Sequence, residues 1–252
     1  MCGRYVITST PAAIRALFGY PEQPNFPPRY NVAPTQPVPI VRLAEDKRQF
    51  ALVRWGFIPS WVKDPKGFSL LINARAESVL DKPAFRNAVR RRRCLIPADG
   101  FYEWREAAGR KQAFFVRRKD GAPFAFAGLW ETWTGPNGEE LDTAAIVTTL
   151  ANRTLAFIHG RMPVILPPDV FDLWLDCARV DAPTAAALLV PARDDLLEAH
   201  QVSPAVNRVA NDSAALITPY VETADAAAAA AEKAGDAKPS SSNKTNDQLS
   251  LL

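Results

Sequence analysis

A succession of short β-type runs, most of them punctuated by Gly or Pro, fills the first 220 residues and constrains the fold more than any other feature. The runs cover residues 4–8, 38–43, 49–55, 94–97, 100–105, 113–117, 124–130, 143–149 and 161–166. Lys119-Asp120-Gly121 separates two of them with an Asp-Gly hairpin signature, and Pro136-Asn137-Gly138 marks another turn. Antiparallel pairing of consecutive runs is therefore expected. Helical patterning is confined to residues 11–18 behind Thr10, 83–92, 152–158, 167–175 and 194–200. The prediction is an α+β fold, a mainly antiparallel, β-rich single domain with a few peripheral helices.

From Glu222 the composition changes to an alanine run and then a Ser, Asn, Lys and Pro stretch without an aromatic residue. Such a segment buries too little apolar surface to offset its ordering entropy. Residues 1–221 are accordingly assigned to the domain and 222–252 to a disordered low-complexity tail. The tail carries five acids against three lysines, so the net charge of +3 becomes about +5 for the remainder, a balance that suits a polyanionic partner. No apolar run approaches the length of a membrane span, and the first twenty residues lack the plan of a signal peptide. Cys2, Cys94 and Cys177 are odd in number and lack C-x-x-C spacing, which predicts free thiols in a reducing compartment. Dinucleotide, P-loop and H-E-x-x-H motifs and internal repeats are all missing from the sequence, so no cofactor and no metal are expected.

Cys2 is the residue with the most chemistry to offer. Its small side chain permits removal of Met1, which would leave an amine and a thiol on one Cα. An α-amine titrates near pH 7.7–8.0, so roughly a tenth or more is free base at neutral pH and ready to form a Schiff base. The thiol, expected to be lowered further beside Arg or His, is a second nucleophile at the same carbon. Together they can close an aldehyde adduct into a five-membered thiazolidine. An incidental cysteine remains the alternative from position alone.

Met1-Cys2-Gly3-Arg4-Tyr5, Arg29-Tyr30-Asn31-Val32-Ala33-Pro34-Thr35, Trp55-Gly56-Phe57-Ile58-Pro59-Ser60-Trp61, Asn73-Ala74-Arg75-Ala76-Glu77, Arg93-Cys94-Leu95-Ile96-Pro97, Gly100-Phe101-Tyr102-Glu103-Trp104 and His159-Gly160-Arg161-Met162-Pro163-Val164 follow one another along the chain. In this order they resemble the motifs of the SRAP family, the SOS-response-associated peptidases or abasic-site processing proteins. The resemblance spans residues 2 to about 219. Phe57 stands where Leu is commoner, and Gly160 occupies a variable place.

The resemblance implies a β-rich fold with a basic groove that holds single-stranded DNA, its junctions with duplex included, and a thiazolidine cross-link between Cys2 and the ring-opened aldehyde of an abasic site. It implies a catalytic set of Cys2, Asn73, Glu103 and His159. Glu103, among aromatic neighbours, should have a raised pKa and shuttle protons; an outward-facing acid is its plain alternative. His159 is assigned to ring opening and to reversal of the adduct, and His200 to a structural role. Asn73 would orient the amine or thiol by hydrogen bonds. Arg4, Arg75 and Arg161 would grip phosphates, Asn31 would make a polar contact in the groove, and Trp61 and Phe68 would stack on or wedge bases, with core packing as the alternative for Phe68. Arg90 to Arg93 read as a solvated face at a helix C-terminus, and Cys94 and Cys177 as small buried hydrophobes. A monomer is expected, with no membrane partner, in the cytoplasm at the nucleoid during DNA damage, or in the nucleus of a eukaryote.

Three other functions compete. A thiol autopeptidase would use Cys2 for acyl transfer, an N-terminal-nucleophile amidotransferase would share the Met-Cys-Gly start, and a single-strand DNA-binding module would leave Cys2 unreactive. The amidotransferase reading lacks the glutamine-binding motifs and synthetase partner domain that should follow.

Overall fold

The β-type runs form two sheets whose alternating residues face different cores. The computed structural model describes residues 2–107 and 109–221; the tail expected over 222–252 lies outside the described residues. The strands are β1 (Tyr5–Ile7), β2 (Arg29–Val32), β3 (Pro37–Ala44), β4 (Lys47–Trp55), β5 (Asn73–Arg75), β6 (Arg93–Ala98), β7 (Gly100–Ala107), β8 (Arg110–Arg118), β9 (Phe124–Thr134), β10 (Glu140–Leu150), β11 (Arg161–Pro163), β12 (Ile165–Leu166) and β13 (Leu197–Gln201).

One sheet runs β13-β8-β7-β1-β2 and is antiparallel throughout. The other runs β11-β10-β4-β3-β6-β9-β12, with β5 also on β10. In this second sheet β9 and β10 pair with each other through the Pro136-Asn137-Gly138 turn, so the strands from β10 round to β9 close on themselves and remove an exposed edge. Two pairings, β10 with β4 and β10 with β5, are parallel. The architecture is thus the mainly antiparallel α+β class expected, and residues up to Pro219 form one compact unit.

Along β6 the alternation is explicit. Cys94 and Ile96 pack into the core that joins the two sheets, with Cys2, Tyr5, Trp55, Phe101 and Phe126. Leu95 points to the opposite core, which is covered by α1 (Pro11–Phe18), α2 (Ala88–Arg91), α3 (Phe171–Leu175) and α4 (Ala182–Ala186). Helix α1 starts where predicted, with the Thr10 side chain accepting from the Ala13 N–H and Gly19 closing it in the left-handed conformation. The outer face of the five-stranded sheet, carrying Val6, Tyr102 and Phe115, is covered by Val202, Val206 and Leu216.

Several expectations are corrected. Residues 194–200 were expected to be helical, but Leu197–Gln201 forms β13 on the free edge of β8; pairing with that edge overrides the helical propensity of Leu-Glu-Ala. Residues 152–158 form turns, and within 83–92 only α2 is helical. The Lys119-Asp120-Gly121 turn exists but does not make a hairpin. Strand β8 is already paired on both edges, by β7 and β13, so the chain leaves for the other sheet. Arg93 departs from the solvated cationic face expected for Arg90 to Arg93. It is buried, and its guanidinium donates to the carbonyls of Val89, Trp174, Asp176 and Val180. Cys94 is fully buried whereas Cys177 is only partly so. No helix among the described residues is long and apolar enough to cross a membrane.

Candidate active site

Strand β1 lies between β7 and β2, and its antiparallel register sets Tyr5 opposite Phe101. The Tyr102 N–H donates to the Arg4 carbonyl at 3.0 Å. Continuing that register by two residues brings Gly3 level with Glu103. Because side chains alternate along β7, Glu103 shares the face of Phe101, which belongs to the same core as Cys2. Cys2 and Glu103 are therefore neighbours through strand pairing, although a hundred residues separate them.

Asn73 arrives from the other sheet. Strand β5 runs parallel to β10 with Asn73 opposite Ile146, and the Asn73 Nδ2 donates to the Cys2 carbonyl at 3.0 Å. The Asn73 Oδ1 is buried and has no hydrogen-bond partner among the described residues. His159 ends the turn before β11, and its Nδ1 accepts from the Arg161 N–H at 3.0 Å. That bond leaves Nε2 to carry the proton of the neutral ring. Glu103 and His159 line one cleft of about 900 Å³ together with Gly3 and Arg4.

The electrostatics separate the groups. Burial raises the Glu103 carboxyl above its ordinary range, and burial lowers the His159 imidazole against the opposing hydrogen bond from the Arg161 N–H. An acid biased toward its protonated form and an imidazole biased toward its neutral form line one cleft, a pairing suited to giving and taking a proton. The Cys2 thiol corrects the expectation that a basic neighbour lowers it. It is fully buried, and burial, then the nearby Glu103, push it well above the usual thiol range. Met1 still caps Cys2 here, so the nitrogen of Cys2 is a peptide nitrogen rather than an amine.

The residues assigned to DNA fall into three groups. Arg161 is held by a forked ion pair to Glu77, at 2.9 and 3.3 Å, and by the Thr148 carbonyl at 2.7 Å; Arg75 is exposed at the end of β5 in the same region. Arg4 lines the cleft yet donates to the Asn31 Oδ1 at 2.9 Å and the Val206 carbonyl at 2.8 Å. Asn31 is buried, and its Nδ2 is shared by the carbonyls of Val206, Arg208 and Asn211, so its side chain is occupied in fastening residues 206–211. Trp61 and Phe68 meet edge to face at 5.7 Å on a small cluster with Ile58, Val62 and Trp133, and they do not line the cleft. Trp61 is 57% exposed.

Sequence reasoning passed over Glu77, although it sits within the Asn73-to-Glu77 motif. It also passed over Trp104, Arg105, Lys111 and Phe157, which line the same cleft but carry no motif signal beyond Trp104. His200 is structural, with Nε2 2.9 Å from the Ile217 carbonyl and its ring against Phe115. Among the described residues no group of three or more His, Cys, Asp or Glu side chains could hold a metal ion.

Residues 1–209 match the family model described as SOS response associated peptidase (SRAP). The chain is 40% identical over 221 residues to the abasic site processing protein YoaM of Bacillus subtilis, an alignment covering 86% of this chain and 97% of that protein. It is 33% identical to the abasic site processing protein YedK of Escherichia coli, over 87% of this chain and all of YedK. A crystal structure of a protein from Bacteroides thetaiotaomicron superposes with a TM-score of 0.79 at 25% identity, covering 87% of this chain and 100% of that one.

Proposed function

The chain belongs to the SRAP family, and from that membership we propose that it processes abasic sites by forming a covalent bond between processed Cys2 and the lesion aldehyde in single-stranded DNA. The observation that carries this reading is the fixing of the Cys2 carbonyl by Asn73, with Glu103 beside Cys2 and His159 on the same cleft as Glu103. Relatives named for abasic-site processing support the choice of substrate.

Once Met1 is cleaved, the Cys2 amine attacks the aldehyde carbon of the ring-opened sugar. The carbonyl oxygen takes one proton from Glu103 and one from the amine and leaves as water, so the imine nitrogen keeps the second amine proton. The Cys2 Sγ then adds to the imine carbon, its proton returns to Glu103, and the C=N electron pair passes to the nitrogen. One C=O bond is lost, one C–N and one C–S bond are gained, and one water is released. The raised thiol makes the amine the first attacker and the sulfur the group that closes the ring. His159, biased toward its neutral form and lining the same cleft as Glu103, is suited to opening the sugar hemiacetal and to reversing the closure.

The test is a denaturing gel of the purified protein with single-stranded DNA bearing one abasic site. Wild type should give a heat-stable adduct and Cys2→Ala none; an undiminished adduct in that variant overturns the reading. The family description also contains the word peptidase. Intact-mass measurement of Asn73, Glu103 and His159 variants separates self-cleavage from ordinary aminopeptidase processing, because the variants keep Met1 only where its removal is self-catalysed.

A further inference from the structure

The cleft that carries Glu103 and His159 continues past them to a part that the proposed chemistry does not use. There Phe157 stands 52% exposed, two residues before His159, in the turn that Ile158 anchors to the core. An aromatic ring so exposed beside a reactive group offers a face on which a flat group can stack.

The ring is also held in place. Phe157 meets Phe114 of β8 edge to face at 5.6 Å, with planes at 90°, so one edge is fixed by packing. The Arg105 guanidinium lies 5.9 Å from its centroid and 5.3 Å from that of Phe114, and Gln112 steadies it through hydrogen bonds of 2.6 and 3.2 Å. Lys111, exposed on β8, adds a second cation to the same cleft lining. A fixed aromatic face with cations at its rim is the physical recipe for stacking an unpaired base while its phosphate stays near positive charge.

We infer that Phe157, Arg105 and Lys111 form a subsite for one unpaired nucleotide next to the reacting sugar, with the base stacked on Phe157. The inference rests on the abasic-site reading for what occupies the centre of the cleft. It assigns to this end of the cleft a contact that Trp61 and Phe68, which do not line it, cannot make. The subsite is indifferent to base identity, because stacking uses the ring face and no hydrogen-bonding group is committed to a base edge. At about 900 Å³ the cleft lies near the upper end of the range for small-molecule pockets, which leaves room for a nucleotide beyond the sugar.

The experiment compares wild type, Phe157→Ala and Phe157→Trp on two single strands. One carries the abasic site between ordinary nucleotides; the other carries it between stable base-less spacers, which keep the phosphates and remove the bases. On the first strand Phe157→Ala should lose roughly 5- to 100-fold in affinity and in adduct formation at sub-saturating protein, and Phe157→Trp should retain wild-type behaviour. On the second strand wild type should fall to the level of Phe157→Ala, and the substitution should cost nothing further. Equal losses on both strands, or no loss on the first, overturn the subsite. If wild type forms no adduct on either strand, the covalent reading fails. The subsite is then judged by equilibrium binding to lesion-free strands with and without bases, where the same non-additivity must appear.

Discussion

The Asn73 carboxamide spans the two sheets to hold the carbonyl of Cys2 at 3.0 Å, leaving its own oxygen buried and without a hydrogen-bond partner among the described residues. A buried acceptor in that state is costly, and removal of Met1 would turn the Cys2 peptide nitrogen, with its single hydrogen, into an amine with further donors to offer it. Asn73→Ala should therefore slow adduct formation about 2- to 10-fold beyond any loss of DNA affinity, the amount that one or two modest hydrogen bonds provide. Single-turnover rates at saturating protein make the measurement; an unchanged rate removes Asn73 from the positioning of Cys2.

Glu103 predicts a dependence of stability on pH. Its carboxyl is raised by burial, so between the ordinary carboxyl range and its own raised value the native state holds more protons than the unfolded chain. Stability attributable to this group is accordingly full below the ordinary range and falls as pH rises through that window. Glu103→Gln should unfold like wild type in acid and at higher denaturant than wild type near neutrality, while losing cross-linking. Denaturant midpoints of both proteins from about pH 4 to 8 test the sign.

Arg161 should contribute to DNA affinity through a phosphate, and Glu77 sets its geometry. Burial alone would raise the Glu77 carboxyl, but hydrogen bonding and charge from Arg161, and then Arg75, hold it below its ordinary range. Arg161→Ala should weaken binding to single strands of any sequence and lower the slope of log affinity against log salt by about 0.7, the value for one lost phosphate contact. An unchanged slope would mean that Arg161 serves only to tie β11 to the Ala76–Ser78 turn.

Asn31 and Trp61 should separate cleanly in their effects. Asn31→Ala removes a buried donor shared by three carbonyls, and a loss of about 2 kcal/mol in unfolding free energy is expected. Trp61→Ala, at an exposed ring, should leave the unfolding midpoint within error and reduce single-strand affinity. Chemical denaturation and fluorescence anisotropy on the same two variants distinguish a fastening residue from a stacking one.

The class of fold was legible because alternation along β-type runs is a local signal, as residues 94–97 and 143–149 illustrate. Which strand pairs with which was not. The Asp-Gly turn after β8 is a true turn, yet one edge of β8 is taken by β7, the strand just before it, and the other by β13, some eighty residues further on, a competition no local pattern reveals. Strand β13 was missed because Leu-Glu-Ala favours helix until an open edge is available. At the site, the motif residues Cys2, Asn73, Glu103 and His159 could be named from sequence, but their proximity depends on β1 pairing with β7 and on one hydrogen bond between sheets. Burial decides the rest. Arg93 and Asn31 are polar residues whose backbone partners lie far along the chain, and only the folded arrangement shows that their side chains are spent on carbonyls.

Strand β1 is flanked on both sides, by β7 and β2, and Cys2 leads directly into it. A DNA strand joined to Cys2 would therefore be attached to one of the last segments to open when the protein unfolds, since a strand held on both edges opens only with the sheet around it. A protease clearing such a conjugate would consume the loops and outer strands first. The peptide stub left on the nucleic acid would begin with Cys-Gly-Arg-Tyr, and its length would be set by how far the machinery must pull before the central strand gives way.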